Sequence, residues 1–296
     1  MNFCESVAQW RIIKVMSPTA LVTLVSILGI SIALSQPEVL WKKDAPAAGF
    51  TTREDLTIKL EDGTFKLGIG DKAVAGVAKA FIHDNATRIQ QSDGKLDAEV
   101  HESVRNIILS FGTSKGQSKD TPGHLTGKKI TGEKVDGHWK FHLAGKAKPE
   151  AAEATALKQF AGYTEIIEAL GQLYGPTPRS VGETWKPNLS DMKKTAVALD
   201  ADLLCKLESI SEQDGDRIAR ISVSGQMTGD VGQGNSVNIK ISGIILRSLR
   251  DMVDTELEMS GTFKYDGIFG KNADTGAKAE IVAPLKLKRT VKVVKP

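Results

Sequence analysis

The sequence predicts an α+β, mostly β protein: a large curved antiparallel sheet, half-barrel-like, packed on one long helix and preceded by an N-terminal apolar signal or anchor helix. Three observations predict it. Apolar and polar residues alternate with a period of two over most of the chain beyond residue 55. Asp-Gly pairs recur beside the alternating runs, at 62–63, 93–94, 136–137, 214–215 and 266–267. One stretch alone, 149–174, switches to the three- and four-residue spacing of a helix.

The first element concerns address. Arg11 and Lys14 precede a run of 23 residues, 15–37, that contains no Asp, Glu, Lys or Arg. Within it lie the apolar block 20–32 and then Ala33-Leu34-Ser35, a small-x-small cleavage pattern. A basic start, an apolar middle and small residues at the cut are the parts of a secretory signal, which would make residues 1–35 a signal peptide and Gln36 the first mature residue. The rival expectation is an uncleaved anchor, because ~20 apolar residues suffice to cross a bilayer. Pro18, Ser17, Ser26 and Ser31 weaken a permanent span, and Lys42 and Lys43 balance Arg11 and Lys14, so the positive-inside rule gives no orientation. No Cys follows the block, so lipid attachment there has no support. Either version puts the domain outside the cytoplasm, periplasmic or secreted. Residues 36–54 read as a linker and 55–296 as one β-rich extracytoplasmic domain.

The β elements follow in order. Leu56, Ile58 and Leu60 alternate with Thr57, Lys59 and Glu61; Asp62-Gly63 follows, then Phe65, Leu67 and Ile69 alternate with Lys66 and Gly68, which predicts a hairpin. Cys205 and Leu207 alternate with Lys206 and Glu208 up to Asp214-Gly215, and Ala219, Ile221 and Val223 form the return strand. The stretch 225–234 reads as a Gly-rich loop leading to Val237, Ile239 and Ile241. Then Leu257, Met259 and Phe263 alternate with Glu256, Glu258 and Lys264, one apolar face against one charged face. Leu285, Leu287, Val291 and Val293 against Lys286, Lys288 and Lys292 make the last strand, whose lysines discourage edge pairing.

The helix carries Leu157, Phe160, Ala161, Ile167, Leu170 and Tyr174 on one stripe, opens at Pro149 and ends at Gly175-Pro176. Gly162 and Gly171 thin it at two points. A short helix at 190–195 is expected, with Ser190 as its cap. The similarity of 129–137 to 208–215 suggests two hairpin-built halves joined through the long helix.

Chemistry is sparse. At 41% hydrophobic, 25% charged and net charge +3, the chain calls for no nucleic-acid partner, and 5% aromatic residues make a poor base-stacking surface. Cys4 would leave with a signal peptide, so Cys205 would stand alone as a small buried apolar residue with no His beside it in sequence. His138 and His142 bracket Trp139-Lys140-Phe141. On a strand they stand ~13 Å apart, too far for one metal. His83-Asp84 and His101-Glu102 read as solvated pairs, and Asn85-Ala86-Thr87 and Asn188-Leu189-Ser190 match glycosylation acceptors. No phosphate loop, dinucleotide fingerprint or hydrolase elbow occurs. No catalytic, cofactor-binding or metal-binding residue is assigned, and no cofactor is expected.

The stretch Tyr174-Gly175-Pro176-Thr177-Pro178-Arg179-Ser180-Val181-Gly182-Glu183-Thr184-Trp185 places a helix end and prolines before Val-Gly-Glu-Thr-Trp, with hairpin strands after it. This resembles an exported bacterial domain family of unknown function, and the layout resembles the half-barrels of periplasmic lipoprotein and lipid carriers. The resemblance covers 157–266 and implies no catalytic residue. From the residues themselves, Gly182 permits a tight turn and Trp185 anchors the strand that follows. The expected function is a non-enzymatic exported binding or carrier module, with an apolar small molecule or lipid held between sheet and helix. The alternative is a structural or interaction protein of the cell envelope with a solid core and no small-molecule ligand. A hydrolase with scattered residues is a third class. The partners expected are the apolar ligand and, in the anchored version, a membrane held through residues 15–37. An apolar cavity under the helix, or its absence, separates the first two.

Overall fold

The computed structural model describes residues 38–40, 47–69, 72–91, 93–111, 121–146, 148–194, 198–232, 235–269 and 277–295. The apolar run 15–37 and its cleavage pattern lie outside the described residues. Among the described residues no helix is long and apolar enough to cross a membrane.

Twelve strands form one antiparallel sheet: β1 (Thr51–Ile69), β2 (Lys72–Gln90), β3 (Leu96–Phe111), β4 (Thr121–Pro122), β5 (Lys128–Val135), β6 (His138–Leu143), β7 (Thr184–Trp185), β8 (Leu199–Gln213), β9 (Asp216–Gly232), β10 (Asn235–Ser248), β11 (Asp254–Phe269) and β12 (Ala277–Lys295). Their order is β6-β5-β3-β2-β1-β12-β11-β10-β9-β8-β7, with β4 off this path on β3. Two meanders, β1 to β6 and β7 to β12, therefore lie side by side, joined where the first strand pairs with the last.

One helix, α1 (Ala151–Leu170), connects the meanders. Pro149 precedes it, and the Glu153 carboxylate accepts from the Glu150 backbone N–H at 2.9 Å, which ties down the first turn. It ends at Leu170 rather than Tyr174: Gly171–Leu173 tighten into a 3₁₀ turn, and Gly175 at φ 61° reverses the chain before Pro176. A second 3₁₀ turn, Ser190–Lys194, stands where the short helix was expected; the side-chain oxygen of Asn188, just before it, accepts from the Ser190 N–H at 3.2 Å.

The helix also reports the sheet's curvature. Its first half packs Leu157, Phe160 and Ala161 with Trp139, Phe141 and Leu143 of β6, the Phe141 and Phe160 rings meeting edge to face at 5.0 Å. Its last turn packs Ala169, with Leu173 and Tyr174 beyond it, with Leu199, Leu203 and Cys205 of β8. Laid flat, β6 and β8 would stand roughly 40 Å apart, whereas a helix of 20 residues spans only about 30 Å. The sheet must curl around α1, which lies on its concave face. Glycines permit the curl: a Cβ on Gly243 would collide with the Glu258 carbonyl, and one on Gly261 with the Lys240 carbonyl.

Three of the five Asp-Gly pairs, 93–94, 136–137 and 214–215, make the turns of β2-β3, β5-β6 and β8-β9. The other two sit inside strands. β1 runs straight through Asp62-Gly63 for 19 residues, with a register shift between Leu60 and Gly63. Asp62 takes φ 37° as the bulged residue, and Gly63 is there because Ala283 leaves no room for a side chain. Gly267 likewise lies within β11, pressed on Asn235. The predicted loop 225–234 is also largely strand: β9 continues to Gly232, with Gly225 at φ 145° against the backbone of β8. In each case the glycine serves close strand approach rather than reversal.

Within the stretch read as a linker, Glu38 forms a bridge with Arg179, Leu40 is fully buried, and β1 begins at Thr51. The Val-Gly-Glu-Thr-Trp element docks on β8. Gly182 turns at φ 89° and donates its N–H to the Leu207 carbonyl, and the buried Trp185 indole N–H donates to the Leu173 carbonyl at 2.7 Å.

Candidate functional site on the concave face

The alternation puts residues 54, 56, 58 and 60 of β1 on the concave face, and the register aligns them with neighbours on β2 and β12. Along this one face the character changes from ionic to apolar within two turns of the pleat.

Under the helix the face is ionic. Glu54, 4% exposed, accepts from the Tyr163 hydroxyl of α1 at 2.6 Å, and pairs with Arg88 of β2 at 2.7 Å and Arg289 of β12 at 2.5 Å. Arg88 also donates to Thr164 at 3.0 Å and lies 4.6 Å over the Phe160 ring. A second cluster repeats the plan. The Tyr174 hydroxyl donates to Asp254 at 2.6 Å, Asp254 pairs with Arg247 at 2.5 Å, and Arg247 lies 4.0 Å over the Tyr174 ring and donates to the Leu40 carbonyl at 2.6 Å. Each cluster is a helix-side tyrosine, a sheet carboxylate and an arginine, with every charge ion-paired, as buried charge requires, though Arg88 Nε faces Glu54 without hydrogen-bond geometry. Burial pushes the Glu54 carboxyl up, but Arg88, Arg289 and the Tyr163 hydroxyl more than offset it and hold the pKa at about 2. Burial likewise pushes both tyrosine hydroxyls well above their ordinary value.

This arrangement narrows one expectation. Among the described residues, ion clusters fill the middle of the space between sheet and helix, and packed side chains fill most of the rest. A cavity of about 130 Å³ remains near the start of α1, lined by Val100, Leu125, Ala156 and Phe160 together with Asp84 and Arg105.

Beyond the helix the same face is apolar. One row runs Ile82, Ile58, Leu287, Met259; the next runs Ala80, Leu60, Leu285, Gly261, Ile241; the third runs Ala283, Phe263, Ile239, Met227. Ile58, Leu60, Ile82, Ile239, Ile241 and Phe263 are only half-buried. An apolar patch of this extent, unbroken across adjacent strands and partly open, is unusual on a solvated sheet face.

The opposite face carries the charged halves of the same strands. Lys286 pairs with Glu61 at 2.7 Å and Lys288 with Glu256 at 3.3 Å, around an open groove of about 630 Å³. His138 and His142 are both exposed on β6, and no group of three or more metal-ligating side chains occurs among the described residues. The Cys205 thiol is buried and pushed up to about 12 by burial, so it stays protonated. Asn85 sits mid-strand in β2, where its amide donates to Asp55 at 3.1 Å.

The ion clusters went unread in the sequence, yet a signal was present. Glu54 and Arg289 occupy inward positions, in phase with Leu56 and with Leu287 and Val291, where alternation calls for apolar residues.

No family model and no curated protein matches the chain. Among solved structures, lipovitellin, solved in a study of lipid–protein interactions, is similar at TM-score 0.41 and 8% identity over 84% of this chain, which spans only 26% of that one. A domain assigned to outer membrane lipoprotein sorting from Vibrio parahaemolyticus is similar at TM-score 0.14 and 7% identity, over 82% of this chain and 86% of that one. A DUF1329 family protein from Desulfovibrio piger is similar at TM-score 0.12 and 7% identity, over 83% and 86%. Likenesses this distant assign no family, and function is argued from the chain's own geometry.

Proposed function

We propose that this protein is a non-enzymatic, exported carrier or binding module for an apolar ligand. The ligand lies on the open half of the concave face, not between helix and sheet. The observation that supports this reading is the set of half-buried apolar rows on β2, β1, β12, β11, β10 and β9, which no helix covers among the described residues. Burying such a surface is favourable by about 25 cal/mol per Å² of apolar area. Export rests on Arg11, Lys14 and the apolar run 15–37.

The envelope-structural reading draws on a different observation, the largely filled space beneath α1. Native mass spectrometry of protein purified from its own host, followed by lipid extraction, separates the two. The carrier reading expects a discrete adduct that extracts as an apolar compound. Protein that emerges at its bare mass, and takes up no apolar fluorophore, supports the structural reading instead.

A further inference from the structure

The charged groups of the concave face are paired with one another, and this has a consequence for ligand class. Its ionised side chains pair with one another: Glu54 with Arg88 and Arg289, Asp254 with Arg247, and Asp84 with Arg105 through two contacts of 2.9 and 2.6 Å. The first set lies beneath α1 and the second beneath Tyr174, both shielded from a ligand in the open half. Arg105 stands at the rim, opposite Ile82, with its two terminal guanidinium nitrogens turned on Asp84. Between that rim and β9 the rows contain only apolar side chains and glycine. They cross six strands, roughly 24 Å, about the length of an extended long acyl chain.

We propose that the site reads hydrocarbon and not headgroup: its ligand is a long-chain amphiphile whose tail crosses the open rows and whose polar end stays in water. This deepens the carrier reading and rests on it. A paired, neutral surface gives an anionic head nothing to gain over a neutral one, while each buried methylene adds to affinity.

The test is competition against N-phenyl-1-naphthylamine, an uncharged apolar fluorophore, using the full chain. Palmitate and hexadecanol share a tail and differ in head. The expected result is displacement at concentrations within about threefold of each other, with tetradecanol weaker by roughly tenfold, as ~0.8 kcal/mol per methylene converts. Arg105→Ala should leave the palmitate-to-hexadecanol ratio unchanged. Palmitate at least tenfold tighter than hexadecanol, with the gap abolished in Arg105→Ala, would overturn the inference while leaving the carrier reading intact. Failure of the wild-type chain to bind the fluorophore at all would overturn both.

Discussion

Two halves of one concave face, built on the same strands, do opposite things. On β1 the inward residue is Glu54 under the helix and Ile58 four positions on; on β12 it is Arg289 and then Leu287; on β2 it is Arg88 and then Ile82. The covered half ties α1, through Tyr163, to β1, β2 and β12, and ties Tyr174, just past the 3₁₀ turn, to β10 and β11, each through a tyrosine–carboxylate–arginine cluster. The open half presents hydrocarbon. A strand's alternation fixes which residues face inward, but the chemistry at each inward position decides whether that piece of sheet holds the fold or offers a surface. Geometry that fixes the helix needs directional partners. A surface for a flexible tail needs none.

This contrast predicts variants whose effects split between the halves. The largest loss of stability should come from Glu54→Gln, which leaves two buried arginines without their carboxylate. Breaking a buried pair by removing one partner costs about 3–5 kcal/mol, and the urea midpoint should fall accordingly. The same carboxylate sets a pH dependence. Its folded pKa, about 2, lies below the ordinary 4.5, so its contribution is fully present above the ordinary value and lost as pH falls through the folded one. Wild-type stability should therefore decline between pH 4.5 and 2, and Glu54→Gln should flatten that decline.

Leu257→Ala comes next. Leu257 is 5% exposed in the larger apolar cluster, and such truncations cost ~2–5 kcal/mol. Gly261→Val should cost about 1–3 kcal/mol as an overpacking change, because its side chain would meet the Lys240 carbonyl and oppose the curl. A loss within ~0.5 kcal/mol would show that the glycine does not hold the curvature. The smallest effect is expected on the outer face, where Glu256→Ala should stay within ~0.5 kcal/mol, since its partner Lys288 is 57% exposed and the pair contributes little.

Much of this was legible in the sequence. The inward phase of Leu257, Met259, Leu285 and Leu287, the helix, and the turns at 93–94, 136–137 and 214–215 all follow from period and turn chemistry. Asp-Gly at 62–63 and 266–267 misled because a glycine that serves a turn and one that admits a neighbouring strand look alike in sequence. The tertiary partners, Ala283 and Asn235, distinguish them. The ion clusters join residues as far apart as Glu54 and Arg289, and pairing over such separations leaves no local pattern beyond a charge in an apolar phase. The site moved for the same reason: the helical stripe signalled that α1 covers the sheet, but not that arginines and tyrosines fill the space beneath it.

The most direct measurement pairs binding with stability in a single open-half variant. Phe263 is half-buried on the concave face of β11, in line with Ile239 and Ala283. N-phenyl-1-naphthylamine titrated into wild-type protein and Phe263→Ser, beside urea unfolding of each, and into Glu54→Gln under conditions where it remains folded, gives both quantities. The account predicts that Phe263→Ser weakens binding by roughly tenfold or more, from the loss of about 1.5–3 kcal/mol of apolar contact. It also predicts that Glu54→Gln loses far more stability and keeps its affinity. Equal affinities in wild type and Phe263→Ser, or a wild-type chain that leaves the fluorophore dark, would contradict it.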